Sequence, residues 1–266
     1  MAMLGSAAHA VATGTAEIGN LRITLYDLNP NDGIAPGFSF LPGAISIVAA
    51  GVDDYANAQF LFDRADGVAS FDPVAVQSTS PLGDARASVT GDGSAEGVVA
   101  TAQARAQGFG GNVDTWVQAE ALPVLGGFSL TPWTAVRFEA DTVVTATTTV
   151  GCDDRCWWYE VMYASASLGV EVDGPVREQH IAYRDAQARY APLGNGVFGG
   201  ETVDNSGLLG LTFANASALE TQANFYMSAF VSGASPFPVP EPGTWALMLA
   251  GLGTFGLIAS RRQQRG

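Results

Sequence analysis

The chain contains no lysine. All twelve of its basic residues are arginine, set against 26 acidic residues, and the net charge is −14. Three of those arginines lie beyond Pro240 with a single acidic residue, so the body of the chain is more acidic than the whole. Without a basic patch nothing neutralises phosphates, which excludes nucleic acid as a partner. The two cysteines and two histidines are equally restrictive. A structural zinc site needs four ligands. Cys152 and Cys156 find only His180 as a nitrogen donor in the body. Their C-x-x-x-C spacing is also not the C-x-x-C of redox motifs. His180 sits in Arg177-Glu178-Gln179-His180 with no nucleophile motif around it. Carboxylates are plentiful, but a glycosidase pair is defined by its separation in space, not in sequence. Neither catalytic residues nor a cofactor is therefore expected, and the protein reads as no enzyme.

Helical stretches are missing from the body, and charged residues make up only 14% of the chain. Gly, Ala, Ser, Thr and Val dominate, the composition of an all-β exported domain. No repeat of fixed period appears, which argues against a solenoid. What is present is alternation with period two. Leu21-Arg-Ile23-Thr-Leu25 shows it, as do Phe38 to Val48 (broken at Pro42-Gly43), Val98 to Ala106 and Trp158 to Val172. Leu208 to Phe213 and Ala223 to Val231 follow, and Val136 to Val144 is the clearest case. Polar turns separate these runs, among them Asn29-Pro30-Asn31-Asp32-Gly33, Gly91-Asp92-Gly93 and Asp204-Asn205-Ser206-Gly207. The pattern predicts an all-β body, an antiparallel β-sandwich or jelly roll over 11–231. A Pro/Ser-rich stalk is expected over 232–239.

Three clusters in the body invite a chemical reading. Asp27, Asn29, Asn31 and Asp32 resemble a calcium loop, with Asp53 and Asp54 as further candidate ligands. An EF-hand loop needs Gly at its sixth position and Glu at its twelfth. Here Gly33 is seventh and Phe38 twelfth, so an Asn/Asp-rich turn is the stronger reading. Trp116, Trp133, Trp157, Trp158, Tyr159 and Tyr163 offer rings for stacking on sugars, although sandwich aromatics usually fill the core. Thr145, Thr147 and Thr149 share one strand face. They resemble the faces of some ice-binding proteins, but a single ladder is better read as an exposed face of a β-former.

The C-terminus is different in kind. Pro240-Glu241-Pro242-Gly243 stops any helix from continuing upstream. Thr244 to Ser260 then runs without charge, long enough as a helix to span roughly 25 Å of a bilayer. Trp245 suits the interface, and Arg261, Arg262 and Arg265 supply a cytoplasmic positive flank. Gly251-Leu-Gly253-Thr-Phe-Gly256 matches a dinucleotide fingerprint in letters only. It lies inside the apolar span, with neither a preceding strand nor a following acidic residue. Its glycines suit close packing against a partner helix.

Pro-Glu-Pro, a short apolar span and an arginine cluster together resemble the PEP-CTERM sorting signal, a C-terminal segment also labelled an ice-binding protein C-terminal domain. The resemblance covers Val239 to Gly266. It implies a single transmembrane helix at 244–260, export of the body, and removal of the tail near Pro240 by exosortase, a membrane peptidase. It further implies a setting at the cell surface or in extracellular polysaccharide, with a structural or adhesive role. An extracellular carbohydrate-binding or carbohydrate-active protein is the alternative. Leu4 to Ala10 (LGSAAHA) agrees with export, because Ala8-His9-Ala10 reads as the cleavage site of a signal peptide of which 1–10 are the remnant.

An exported protein meets an oxidising compartment, so Cys152 and Cys156 are expected to form a small disulfide across a hairpin turn. Replacing both by serine should cost only about 1–2 kcal/mol, because the closed loop is short. Thiol titration of the secreted protein without reductant checks the bond. Two free thiols would remove it.

Overall fold

The computed structural model describes residues 11–54, 57–67, 73–92, 94–107, 115–149, 160–172, 178–189, 191–194 and 197–235. Cys152, Cys156, the tail from Pro240 and the 244–260 span lie outside these residues. Among these described residues sixteen strands are formed. The first eight are β1 (Val11–Asp27), β2 (Phe38–Phe40), β3 (Ile45–Asp54), β4 (Gln59–Gly67), β5 (Val74–Thr79), β6 (Gly83–Thr90), β7 (Val99–Gln107) and β8 (Thr115–Leu130). The rest are β9 (Thr134–Thr148), β10 (Val161–Val172), β11 (Glu178–Ala188), β12 (Ala191–Gly194), β13 (Val197–Gly199), β14 (Thr202–Asp204), β15 (Gly207–Asn215) and β16 (Thr221–Ser235). Among the described residues no helix is long and apolar enough to cross a membrane.

Two seven-stranded antiparallel sheets stand face to face. One runs β14-β9-β1-β7-β6-β5, with β15 also pairing β9; the other runs β11-β10-β16-β8-β3-β4, with β2 pairing β8. β12 and β13 form a separate hairpin. Across the interface β1 packs on β16 and β10, β7 on β16 and β8, and β6 on β8 and β3. The all-β antiparallel expectation therefore holds. β16 extends to Ser235, which is buried, so four residues assigned to the stalk belong to the sandwich. Ser235 Oγ donates to Glu160 Oε1 at 3.1 Å, and Glu160 Oε2 accepts the Thr149 N–H at 2.8 Å. That buried carboxylate ties together one end of β9, β10 and β16.

The core is graded in size. At one end Phe38, Phe128, Phe138, Phe213 and Phe225 meet, with Phe138 stacked on Phe225 at 4.1 Å and Phe128 edge-on to Phe138 at 5.6 Å. Towards the other end the inward side chains are small: Ala100, Ala102, Ala104 and Ala106 of β7, Ala85 and Ala87 of β6, and Ala164 and Ala166 of β10, all buried. Among the described residues, half of the buried apolar ones are alanine. Such a core allows the sheets to approach closely, and Gly14 and Gly83 mark the tightest places. A Cβ on Gly14 would stand 2.6 Å from Val231 Cγ1, and one on Gly83 would stand 2.5 Å from Val52 Cγ1.

β1 changes its inward set halfway along. Ala12, Ala16 and Ile18 are buried, and then Leu21. A bulge lies between Gly19 and Arg22, where Asn20 adopts φ 54°. One extra residue moves the alternation by one and keeps apolar side chains inward on both halves. Asp141 of β9 holds the bulge from outside, accepting from Arg22 Nη2 at 2.8 Å and Asn20 Nδ2 at 3.3 Å.

One long side of the sandwich is latched. Arg184 of edge strand β11 donates to Asn205 Oδ1 at 3.0 Å and twice to the Leu208 carbonyl, at 3.2 and 3.0 Å. Asn205 returns a bond from Nδ2 to the Asp185 carbonyl at 2.8 Å. The two sheets are thus joined across their edges.

Gly14→Ala should destabilise the sandwich by about 1–3 kcal/mol through overpacking. Thr15→Val, one residue on and pointing outward, should stay within about 0.5 kcal/mol. Urea unfolding of the two variants checks this. Equal midpoints would show that the sheets have room to spare.

Candidate functional site

The Asn/Asp-rich turn after β1 is organised by its own backbone. Asp27 Oδ1 accepts the Asn29 N–H at 2.9 Å, Asp32 Oδ1 accepts the Ile34 N–H at 2.8 Å, and the Asp32 N–H donates to the Asn29 carbonyl at 3.1 Å. Asn31 is exposed on the same turn. The expectation that Asp53 and Asp54 join these residues is corrected by the registers. Asp27 pairs with Thr134, beside the Leu130 end of β8, whereas Asp54 pairs with Thr115 at its other end. The sets are separated by the length of β8, on the order of 45 Å. Among the described residues no group of three or more His, Cys, Asp or Glu is placed to hold a metal.

Asp54 instead anchors the end of β3. It is fully buried and accepts from Asn57 N–H at 3.1 Å and Asn57 Nδ2 at 2.9 Å. Burial pushes its carboxyl up, but donors from Asn57, Ser80 and Leu82 outweigh that and hold it below the ordinary value. His180, on β11, lies edge-on to Phe213 with ring centroids 5.7 Å apart.

The outer faces of the two sheets differ sharply. On the β14-β9-β1-β7-β6-β5 sheet one row reads Thr202, Thr147, Thr13, Arg105, Asp84, Thr79. The next reads Asp204, Thr145, Thr15, Gln103, Arg86, Gln77. The threonines noticed on β9 are therefore part of a wider polar face. An open, shallow depression lies toward its β5 edge, lined in part by Asp63, Gln77, Arg86, Ser88, Thr101 and Gln103. Asp63 lines it, and the Asp84 carboxylate adjoins it, accepting from Gln77 Nε2 at 2.9 Å and pairing with Arg86 Nε at 2.9 Å.

The opposite outer face is aromatic. One row reads Trp116, Asp53, Phe60, and the next Tyr163, Ser232, Gln118, Gly51, Phe62. Phe60 is 74% exposed, Phe62 60% and Trp116 45%. Of the rings proposed for stacking on sugars, Trp116 and Tyr163 lie on this face. Trp133 does not: it occupies the β8–β9 turn at φ 56°, where its N–H donates to the Ser217 carbonyl. Trp157, Trp158 and Tyr159 lie outside the described residues. Phe60 and Phe62 were missed in sequence, although their period-two spacing on a strand was the available signal.

Fold and surface together define an antiparallel sandwich protein whose outer faces, more than its interior, offer contacts. A family model described as the PEP-CTERM protein-sorting motif matches residues 238–263. The chain carries this sorting signal, which implies export through the membrane and processing by exosortase, a membrane protein. Comparison with curated proteins and with solved structures returned no match.

Asp54 generates a pH prediction. A carboxyl held low in the folded state stabilises it above the unfolded pKa, and that stabilisation is lost as pH falls through the folded value. Asp54→Asn should therefore cost about 1–3 kcal/mol at pH 7. The deficit should shrink below about pH 4. Urea midpoints at pH 7 and pH 3 test this. An unchanged gap at both would sink it.

Proposed function

We propose that this protein is an exported, non-catalytic sandwich of the cell surface or extracellular matrix, with a structural or adhesive role. The sorting motif at 238–263 is the observation that carries the reading. Two features of the body support it. The buried apolar positions are occupied largely by alanine, valine and phenylalanine, and the depression on the polar face is open and shallow. The acidic net charge suits solubility outside the cell. Trp245–Ser260 would hold the precursor in the membrane, with Arg261, Arg262 and Arg265 on the cytoplasmic side, until exosortase cleaves near Pro240.

In a host with exosortase the exported protein should end close to Pro240, as read by intact mass. Exchanging Arg261, Arg262 and Arg265 for glutamine should weaken membrane retention of the precursor. A mature species that keeps Trp245–Ser260 would overturn the processing step, and one confined to the cytoplasm would overturn the reading.

A further inference from the structure

We propose that the aromatic outer face of the β11-β10-β16-β8-β3-β4 sheet binds a neutral, hydroxyl-rich polysaccharide chain. This rests on the reading of the protein as exported and adhesive, and it names the partner and the surface.

Exposed aromatic rings on one sheet face are costly to leave in water, and a concentration of them marks an interaction surface. Here they are ordered by strand register. Phe60 and Trp116 stand on β4 and β8, with Asp53 of β3 between them. Their separation is two strand spacings, about 10 Å. A ring stacks on the apolar face of a pyranose, and a carboxylate between two rings accepts hydroxyl hydrogens from the sugar lying across it. The next row repeats the arrangement at wider spacing. Phe62 and Tyr163 bracket Gln118 and Ser232, an amide and a hydroxyl that can both donate and accept. Gly51 completes the row. A Cβ there would come within 3.3 Å of Phe62 Cδ2, so the Phe62 ring leans over the glycine and lies low on the sheet. The result is a broad platform with rings at its margins and hydrogen-bonding groups between them.

Charge decides among occupants. The face carries the carboxylates of Asp53, Glu120, Asp66 and Asp185. Of its arginines, Arg64 is bonded to Asp66 at 2.9 Å, and Arg189 at the β11 margin donates to Gln187, the neighbour of Tyr163, at 3.0 Å. An anionic polymer, an anionic membrane or a second copy of this acidic chain would bring like charges together. A neutral polyol meets no such repulsion, and its hydroxyls satisfy the carboxylates.

The test uses the full chain, purified in detergent, in native affinity gels cast with hydroxyethyl cellulose, dextran or galactomannan. Alginate serves as the anionic counterpart. At least one neutral polymer should retard the protein, and alginate should not. The triple exchange Phe60→Ala, Phe62→Ala, Trp116→Ala should raise Kd by roughly tenfold or more, about one decade for each well-stacked ring at most. Gln118→Ala leaves every ring in place and should weaken binding several-fold, which keeps the test valid if the triple variant fails to fold. Thr145→Val with Thr147→Val, on the opposite face, should bind as the parent does. The proposal is overturned if no neutral polymer retards the protein, if alginate binds more tightly, or if the ring and Gln118 variants bind unchanged. Self-association abolished by the triple exchange would also overturn it, since a second copy would then be the occupant. Failure of export or tail removal would sink the functional reading without touching these gels, so the two failures remain distinct.

Discussion

The two sheets approach closely because many inward positions are alanine or glycine, and most other features follow from that closeness. Alanine buries little apolar area, at about 0.8 kcal/mol per CH2. The sandwich therefore gains from length and number of strands what it lacks in side-chain bulk. β1 spans 17 residues, β8 spans 16 and β16 spans 15. Gly14, Gly83 and Gly233 sit where a Cβ would collide with atoms of the facing sheet or neighbouring strand. The phenylalanine cluster at the far end supplies the large apolar payload.

A thin core constrains the margins as well. With small residues inside, each long strand must keep its alternation in phase from end to end, because a slip of one residue exposes the whole inward set. The Asn20 bulge resets β1 in mid-course, and Asp141 fixes the reset from outside. Arg184 and Asn205 latch one side of the sandwich. Edge strand β4 on the other side carries Asp63, Arg64 and Asp66, charges of the kind that discourage edge-to-edge pairing.

The buried positions of both sheets are occupied largely by alanine, valine and phenylalanine, and the outer faces are broad and regular. Their opposite characters, hydroxyls and amides on one and aromatic rings on the other, arise from strands that alternate in the same way. The difference lies only in which residues occupy the outward positions. The sorting signal and the aromatic face are separate in sequence and in physical basis: one concerns where the protein goes, the other the partner proposed for it there.

Several strands were legible in the sequence because their inward residues are large. Val136 to Val144 and Ala223 to Val231 alternate bulky apolar with polar groups, and both are strands. The first half of β1 escaped notice, since Ala, Gly and Thr alternate there with almost no contrast in hydropathy. β8 escaped because Pro123 and the Gly126-Gly127 pair interrupt its period-two pattern. The structure accommodates them in a central strand: the β16 ladder shifts register between Val124 and Gly126, and Gly126 adopts φ 87°. The sequence by itself determined the all-β class, the acidic surface and the sorting tail, because composition and contiguous motifs carry those. Only the tertiary structure decided that Asp53 stands between Phe60 and Trp116, far from Asp27 and Asp32. Strand register brings together residues of distant sequence and parts near ones, and no local pattern records it.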